Sequence, residues 1–344
     1  MAAHPSTNRY TMMNSHALRR FLVSLATLAA TIMMLHPAEA AGTGYLFVSN
    51  ERSNNILVFD PAKDYATVKD IKTSRRPRDM HFNHDHSLLY VACGEDDVID
   101  VIDVATLEVV DHIPTARSPE MFVLNKDETD LYVSNEENST VQIISIKDKI
   151  IVNEIPTGAE PEGVILSEDE KTLYATSEVA DMVHVIDTDS GSVVDNVIVG
   201  TRPRRFVLTK DGKELWVSDE LSGEVSIIDR ATNQVIDTLT FVPPGFRPVD
   251  VTPVGMTIND AGDTVYVSLG RANHVAFVNT ATHEIEDYVL VGSRAWGTQL
   301  SPDEKLLYVA NGLSDDVSIV DVATRKNIRT ISAGRIPHSV LVDE

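Results

Sequence analysis

Seven short loops in this chain end in a residue that changes type while its surroundings repeat. They read SRRPR (74–78), ARSPE (116–120), AEPE (159–162), TRPR (201–204), VTPV (251–254), SRAW (293–296) and RIPH (335–338). Their last residues are Arg78, Glu120, Glu162, Arg204, Val254, Trp296 and His338, and Arg205 follows Arg204 directly. Sixteen residues beyond Glu120, Glu162 and Arg204 stand Glu136, Glu178 and Glu220. Guanidinium groups grip carboxylates and phosphates through paired N–H donors. Glutamate and histidine can move protons, and an indole offers a flat face for stacking. Two readings stay open at this level. The charges can pair with one another across a wet funnel, or they can hold a ligand there.

These residues share one place because the chain repeats. LYVSNEENSTVQIIS (131–145), LWVSDELSGEVSIID (215–229) and LYVANGLSDDVSIVD (307–321) are near copies. Their aromatic recurs as Phe47, Tyr90, Tyr132, Tyr174, Trp216, Tyr266 and Tyr308, at intervals of 43, 42, 42, 42, 50 and 42 residues. Segments alternate with period two, are rich in Val, Ile and Tyr, and are separated by Asp/Gly turns, which excludes a helical repeat of this length. The expectation is an all-β seven-bladed β-propeller with four antiparallel strands, A to D, in each blade. The aromatics are core, and Asp103, Asp187, Asp229 and Asp321 serve their own C–D turns. The repeat begins at a strand B, GYLFVSN, and ends at a strand A, PHSVLVDE. The last strand must then close the first blade, so that no sheet edge is left open. The D–A and B–C loops share the face that holds the channel mouth, and both sets of site residues fall there.

Before the repeats, Arg19 and Arg20 precede the uncharged run FLVSLATLAATIMML (21–35), which ends at AEA (38–40). A basic start, a short apolar stretch and a small-residue exit describe a secretory signal peptide. The run is short for a membrane span, so residues 1–40 are expected to be a leader cleaved near Ala40, and 41–344 a periplasmic propeller with no membrane span. Residues 1–40 hold three basic residues and one acid, so the net charge of −23 becomes −25 without them. Such acidity argues against nucleic acid as a partner. Cys93 is the single cysteine, so no intrachain disulfide forms.

The long interval of 50 residues arises from a proline-rich insertion, TFVPPGFRPVDVTP (240–253), which can cover the mouth or dock a partner. HFNHDH (81–86) has a spacing compatible with a metal, but it replaces a turn on the face away from the mouth, and no metal is assigned to it. Cys93 lies near the mouth as a filler or a thiol. No serine-nucleophile motif, phosphate-binding glycine loop or HExxH occurs.

The LYVSN and VSIID phrases resemble the YVTN family of β-propellers over nearly the whole repeat region. GTRPRRF, DGKELWVSDELSGEVSIID, the proline-rich insertion and EDYVLVGSRAWGTQLSPDEKLLYVANG, in that order, look like the group called pyrroloquinoline quinone (PQQ) dependent catabolism-associated β-propeller proteins. The resemblance implies an exported protein that binds or assists in PQQ-linked alcohol catabolism, with a pathway protein or a small ligand as partner. It does not imply a reaction. Ala295 and HFNHDHS depart from the repeat. Quinoprotein alcohol dehydrogenases of eight blades are longer and use a tryptophan docking motif, whereas this chain has only Trp216 and Trp296. PQQ bound without catalysis would stack on Trp296, with Arg78, Arg204 or Arg205 on its carboxylates. A rival reading is a hydrolase of lactonase type, with a metal or with Glu120, Glu162 and His338 in the funnel.

Overall fold

The computed structural model describes Met1, Ala2 and residues 42–344. The expected leader therefore lies outside the described residues. Among these, seven four-stranded antiparallel sheets form the seven blades. The first blade is closed as the repeats require. Its strand A is Pro337–Val342, which pairs with strand B, Leu46–Asn50, through Leu46–Val342 and Val48–Val340. Strands C and D of that blade are Asn55–Asp60 and Ala66–Lys72. The closure is reinforced by Thr43, whose backbone N–H and hydroxyl both donate to Asp343 at 2.7 and 2.5 Å.

The repeated phrase has a physical reason at each letter. Its aromatics fill the seams between blades: Phe47, Tyr90, Tyr174, Trp216, Tyr266 and Tyr308 are buried, Tyr132 partly so. The serine of LYVSN locks one blade to the next. Ser49 Oγ donates to the Arg78 carbonyl at 2.7 Å, Ser134 Oγ to that of Glu162 at 2.5 Å, and Ser218 Oγ to that of Val254 at 2.7 Å. The C–D turn aspartates accept from their own turn, as in Asp103 from Thr106 N at 2.7 Å and Asp229 from Thr232 N at 2.8 Å.

Every inner strand carries a bulge at the same point. Pro77 pairs with Cys93 and Met80 with Val91, so Arg78 and Asp79 oppose a single residue; Pro203–Asp219 and Phe206–Val217 bracket Arg204 and Arg205 in the same way. A bulge breaks the strict alternation of side chains. Two successive residues per blade can then both face the channel, which explains how Arg204 and Arg205 serve one site. The proline-rich insertion does not close the mouth. Phe241, Phe246 and Val251 pack with Leu269 and Ala272 at the seam of blades 5 and 6, and Phe246 meets His274 edge-on at 5.7 Å.

Truncation at Ile336 removes the closing strand, with its buried Val340 and Val342, and exposes the edge of Leu46–Asn50. Each lost side chain is worth about 1.5–3 kcal/mol, so the thermal midpoint should fall by at least about 10 °C. An unchanged midpoint in a calorimetric scan would contradict the closure.

Candidate functional site

The inner-strand residues converge on the channel axis and join into one buried ionic network. Its centre is Glu162, 1% exposed, whose Oε1 receives Arg78 Nη2 at 3.1 Å, Arg204 Nη1 at 3.0 Å and Arg205 Nη2 at 3.1 Å. Arg78 is also paired with Glu120 and reaches Glu51 at 3.3 Å. Arg204 binds Glu178 at 2.9 Å and Glu220 at 2.7 Å. His338 Nε2 accepts from Arg78 Nε and from Arg205 Nη2, both at 3.2 Å, while Nδ1 lies 3.0 Å from Ser339 Oγ. Nδ1 therefore carries the ring proton. This cluster plugs the channel and separates two cavities, of about 260 Å³ at the mouth and about 540 Å³ below it.

Electrostatics fixes the protonation of these groups. Burial pushes Glu162 up, but the three arginines outweigh it and hold the carboxyl well below its usual range. Burial and the guanidiniums of Arg78 and Arg205 drive His338 well below its usual value, so it is neutral and its lone pair is already committed. Burial, then the Glu162 charge, pushes Glu178 upward. Cys93 is buried and its thiol is pushed well above the usual value by burial, which leaves an inert filler.

The mouth cavity brings in residues that the sequence reading passed over. Arg76, Arg202 and Arg294, each directly before the proline position and each at positive φ (60–61°), line it together with Glu51. A signal was present: they are three arginines at one repeat position, two residues before the chosen one. Arg76 reaches Glu120 at 3.2 Å and Glu136 at 4.0 Å, and Arg202 reaches Glu178 at 2.7 Å. Arg294 is different. Its nearest carboxylate oxygen, on Glu220, is 3.7 Å away, its guanidinium makes no hydrogen bond among the described residues, and it lies 4.5 Å from the Trp296 ring centroid. Arg204 is 5.4 Å from the same ring, and His338 packs against it at 5.6 Å.

All ten residues singled out from the repeats fall on this network or its rim: Arg78, Glu120, Glu136, Glu162, Glu178, Arg204, Arg205, Glu220, Trp296 and His338. The charges pair with one another, as the first reading held, and a cavity remains beside them, as the second requires. The expected stacking surface is absent, because Trp296 is only 8% exposed beneath Arg294, Arg204 and His338. The three histidines of HFNHDH diverge: His81 bonds Asp79 at 3.0 Å, His84 faces Glu128 at 3.2 Å and His86 meets Asp343 at 2.7 Å. Among the described residues, no group of three His, Cys, Asp or Glu side chains is placed to hold a metal ion.

Twelve of the fifteen arginines in residues 42–344 lie in the D–A loops, the B–C corners or the inner-strand bulges, and none of the eleven lysines does. Solubility does not discriminate between these two cations. A planar, permanently charged fork for carboxylate or phosphate does.

Beside the network, Asp219 is fully buried and burial pushes it up to about 7, with Ser226 Oγ donating to it at 2.6 Å. The folded state thus keeps a proton that the unfolded state releases near pH 4. That stabilisation is complete below pH 4 and is lost as pH rises towards 7. Asp219→Asn cannot lose it. Its thermal midpoint should match wild type at pH 4 and exceed it by several degrees at pH 8, and a gap independent of pH would contradict the assignment.

Similar proteins bear on the fold. No curated protein matches the sequence significantly. Among solved structures, hydrazine synthase of Kuenenia stuttgartiensis is 22% identical with a TM-score of 0.73, covering 81% of this chain and 93% of that one. The periplasmic gluconolactonase PpgL of Pseudomonas aeruginosa is 19% identical with a TM-score of 0.73, covering 87% and 99%. A putative 6-phosphogluconolactonase of Bacteroides fragilis NCTC 9343 is 16% identical with a TM-score of 0.74, covering 89% and 99%. At these identities the likeness is one of fold. Residues 138–306 also match the choice-of-anchor I domain. Residues 38–213 match the YNCE-like β-propeller, half of the chain, and the chain belongs to that family.

Proposed function

We propose that this propeller is an exported binding protein whose mouth recognises a small carboxylate- or phosphate-bearing anion. The observation that carries the reading is Arg294, a half-buried guanidinium on the wall of the mouth cavity whose nearest carboxylate, Glu220, stands 3.7 Å away and which has no hydrogen-bond partner among the described residues. A half-buried cation with only one distant, shared carboxylate and unmet donors favours an anion beside it. Arg76 and Arg202 flank the same cavity and widen the target for a second anionic group. The leader-like sequence at 1–40 supports a periplasmic location. The resemblance to PQQ-associated propellers supports an accessory place in PQQ-linked alcohol catabolism, with a small ligand or a pathway protein as partner.

PQQ itself fits this site poorly. To stack on Trp296 it would have to displace Arg294 from the ring, and the arginines nominated for its carboxylates, Arg78, Arg204 and Arg205, already share Glu162. A second reading, a lactonase-type hydrolase, is favoured by the fold shared with a periplasmic gluconolactonase. For it, Glu162 and His338 are poor bases, since three guanidiniums and two guanidiniums occupy them. Glu120 is likewise held by Arg76 and Arg78, and Glu178, although pushed upward by burial, by Arg202 and Arg204, so either must be freed from its guanidiniums to act as a base.

Titration calorimetry with citrate, gluconate, inorganic phosphate and PQQ tests the anion site. A charge-assisted contact is worth about 1.5–3 kcal/mol, so Arg294→Gln should weaken the anion that binds by roughly 10- to 100-fold, and added salt should weaken it further. If no anion binds wild type, or if Arg294→Gln binds equally well, the reading fails. Turnover of gluconolactone that is lost in Glu178→Gln would instead establish the hydrolase.

A further inference from the structure

The cavity below the plug is larger than the mouth cavity and has a different character. Its walls include the apolar Met121, Val123, Ile165, Val207, Met256 and Leu341, with Thr257, Thr298, Gln299 and Ser339 among them. Its lining carries one acid, Asp79, which is matched locally: His81 Nε2 lies 3.0 Å away and the Phe122 N–H donates at 3.2 Å. Burial disfavours a charged His81, but the adjacent Asp79 outweighs burial and raises its pKa.

The cation at the plug end is not matched. Arg78 and Arg204 each have two carboxylates besides Glu162. Arg205 has only Glu162, on an oxygen already shared with those two arginines, and the neutral ring of His338. It is 7% exposed, lines the lower cavity, and its Nη1 has no hydrogen-bond partner. The Trp296 Nε1 donor, on the same lining, is also without a partner. Donors and an under-compensated positive charge thus meet at the plug end of a channel whose walls are largely apolar along Val123, Ile165 and Val207. From Arg205 to Leu208 the wall rises three residues, about 10 Å at a strand's rise of about 3.3 Å per residue.

We propose that the lower half of the channel is a second binding site, for a monocarboxylate with an unbranched apolar body of about six carbons, received head-first by Arg205. The apolar chain lies along Val123, Ile165 and Val207, and the carboxylate supplies Arg205 with the negative charge that Glu162 divides among three guanidiniums. The site opens on the face away from the mouth and does not depend on Arg294.

Titration calorimetry of the full-length protein with hexanoate, acetate, hexan-1-ol and hexylamine tests this. Hexanoate should bind with one equivalent per chain, and the other three at least about ten-fold more weakly. Arg205→Gln should reduce hexanoate affinity at least about ten-fold, the loss of one charge-assisted contact. Val123→Trp, which fills the wall and leaves the ionic network intact, should do the same, with folding checked by its thermal midpoint. Arg294→Gln should leave hexanoate binding unchanged. The proposal is overturned if wild type does not bind hexanoate, if hexylamine binds as well, or if binding survives in folded Val123→Trp. Loss of hexanoate binding in Arg294→Gln alone would return the ligand to the mouth and equally overturn it.

Discussion

The carboxylate of Glu162 is the constraint on which the centre of this molecule depends. Three guanidiniums from two blades, Arg78 on blade 2 and Arg204 and Arg205 on blade 5, end on one of its oxygens. Buried charges are costly unless paired, so removing this one anion would strand Arg205, which has no other carboxylate, and take one partner from each of Arg78 and Arg204. A purely structural ring could fill the same space with aliphatic side chains at no such risk. Six arginines and six glutamates stand in this network and on its rim instead, and most of their charge is spent on one another.

The ring around it is built to bring these groups within reach. Adjacent inner strands approach so closely that a Cβ on Gly163, Gly255 or Gly297 would lie 2.1–2.6 Å from the next strand's carbonyl oxygen. Only glycine permits that contact, and the narrow bore it creates lets an arginine on one side reach a glutamate or histidine on the other. The bulge then turns two residues of each blade inward, and the strand B serines hold the bulged carbonyls in place. Fold and site are thus one construction.

Much of this was legible in the sequence because a propeller writes its geometry as a period. The interval of 42 residues gave the blades, the unmatched strands at 45–50 and 337–342 gave the seam, and the residue after the proline position located the channel lining. What depended on pairing was not legible. Nothing in SRRPR or TRPR says that Arg78 and Arg204 share Glu162, two loops from the first and one from the second, or that Arg294 covers the Trp296 ring. The place of the insertion at 240–253 was not legible for a related reason: its prolines and aromatics are as suited to lying on the seam of blades 5 and 6, where Phe241 and Phe246 pack, as to arching over the mouth. The histidines of HFNHDH have metal-like spacing, yet each finds a different carboxylate because the turn fans them apart.

The division of labour between hydrogen-bonded arginines and one without a hydrogen bond is the central claim, and the side-chain Nε–H resonances of the arginines report it directly. In a ¹⁵N-labelled sample titrated with citrate, Arg78 and Arg204 should give slowly exchanging Nε–H signals that stay in place, since their Nε atoms are bonded to His338 and Glu220. Arg294, assigned through Arg294→Lys, should move progressively with added anion. Rapid exchange at Arg78 and Arg204, or an Arg294 signal indifferent to every anion, would contradict the account.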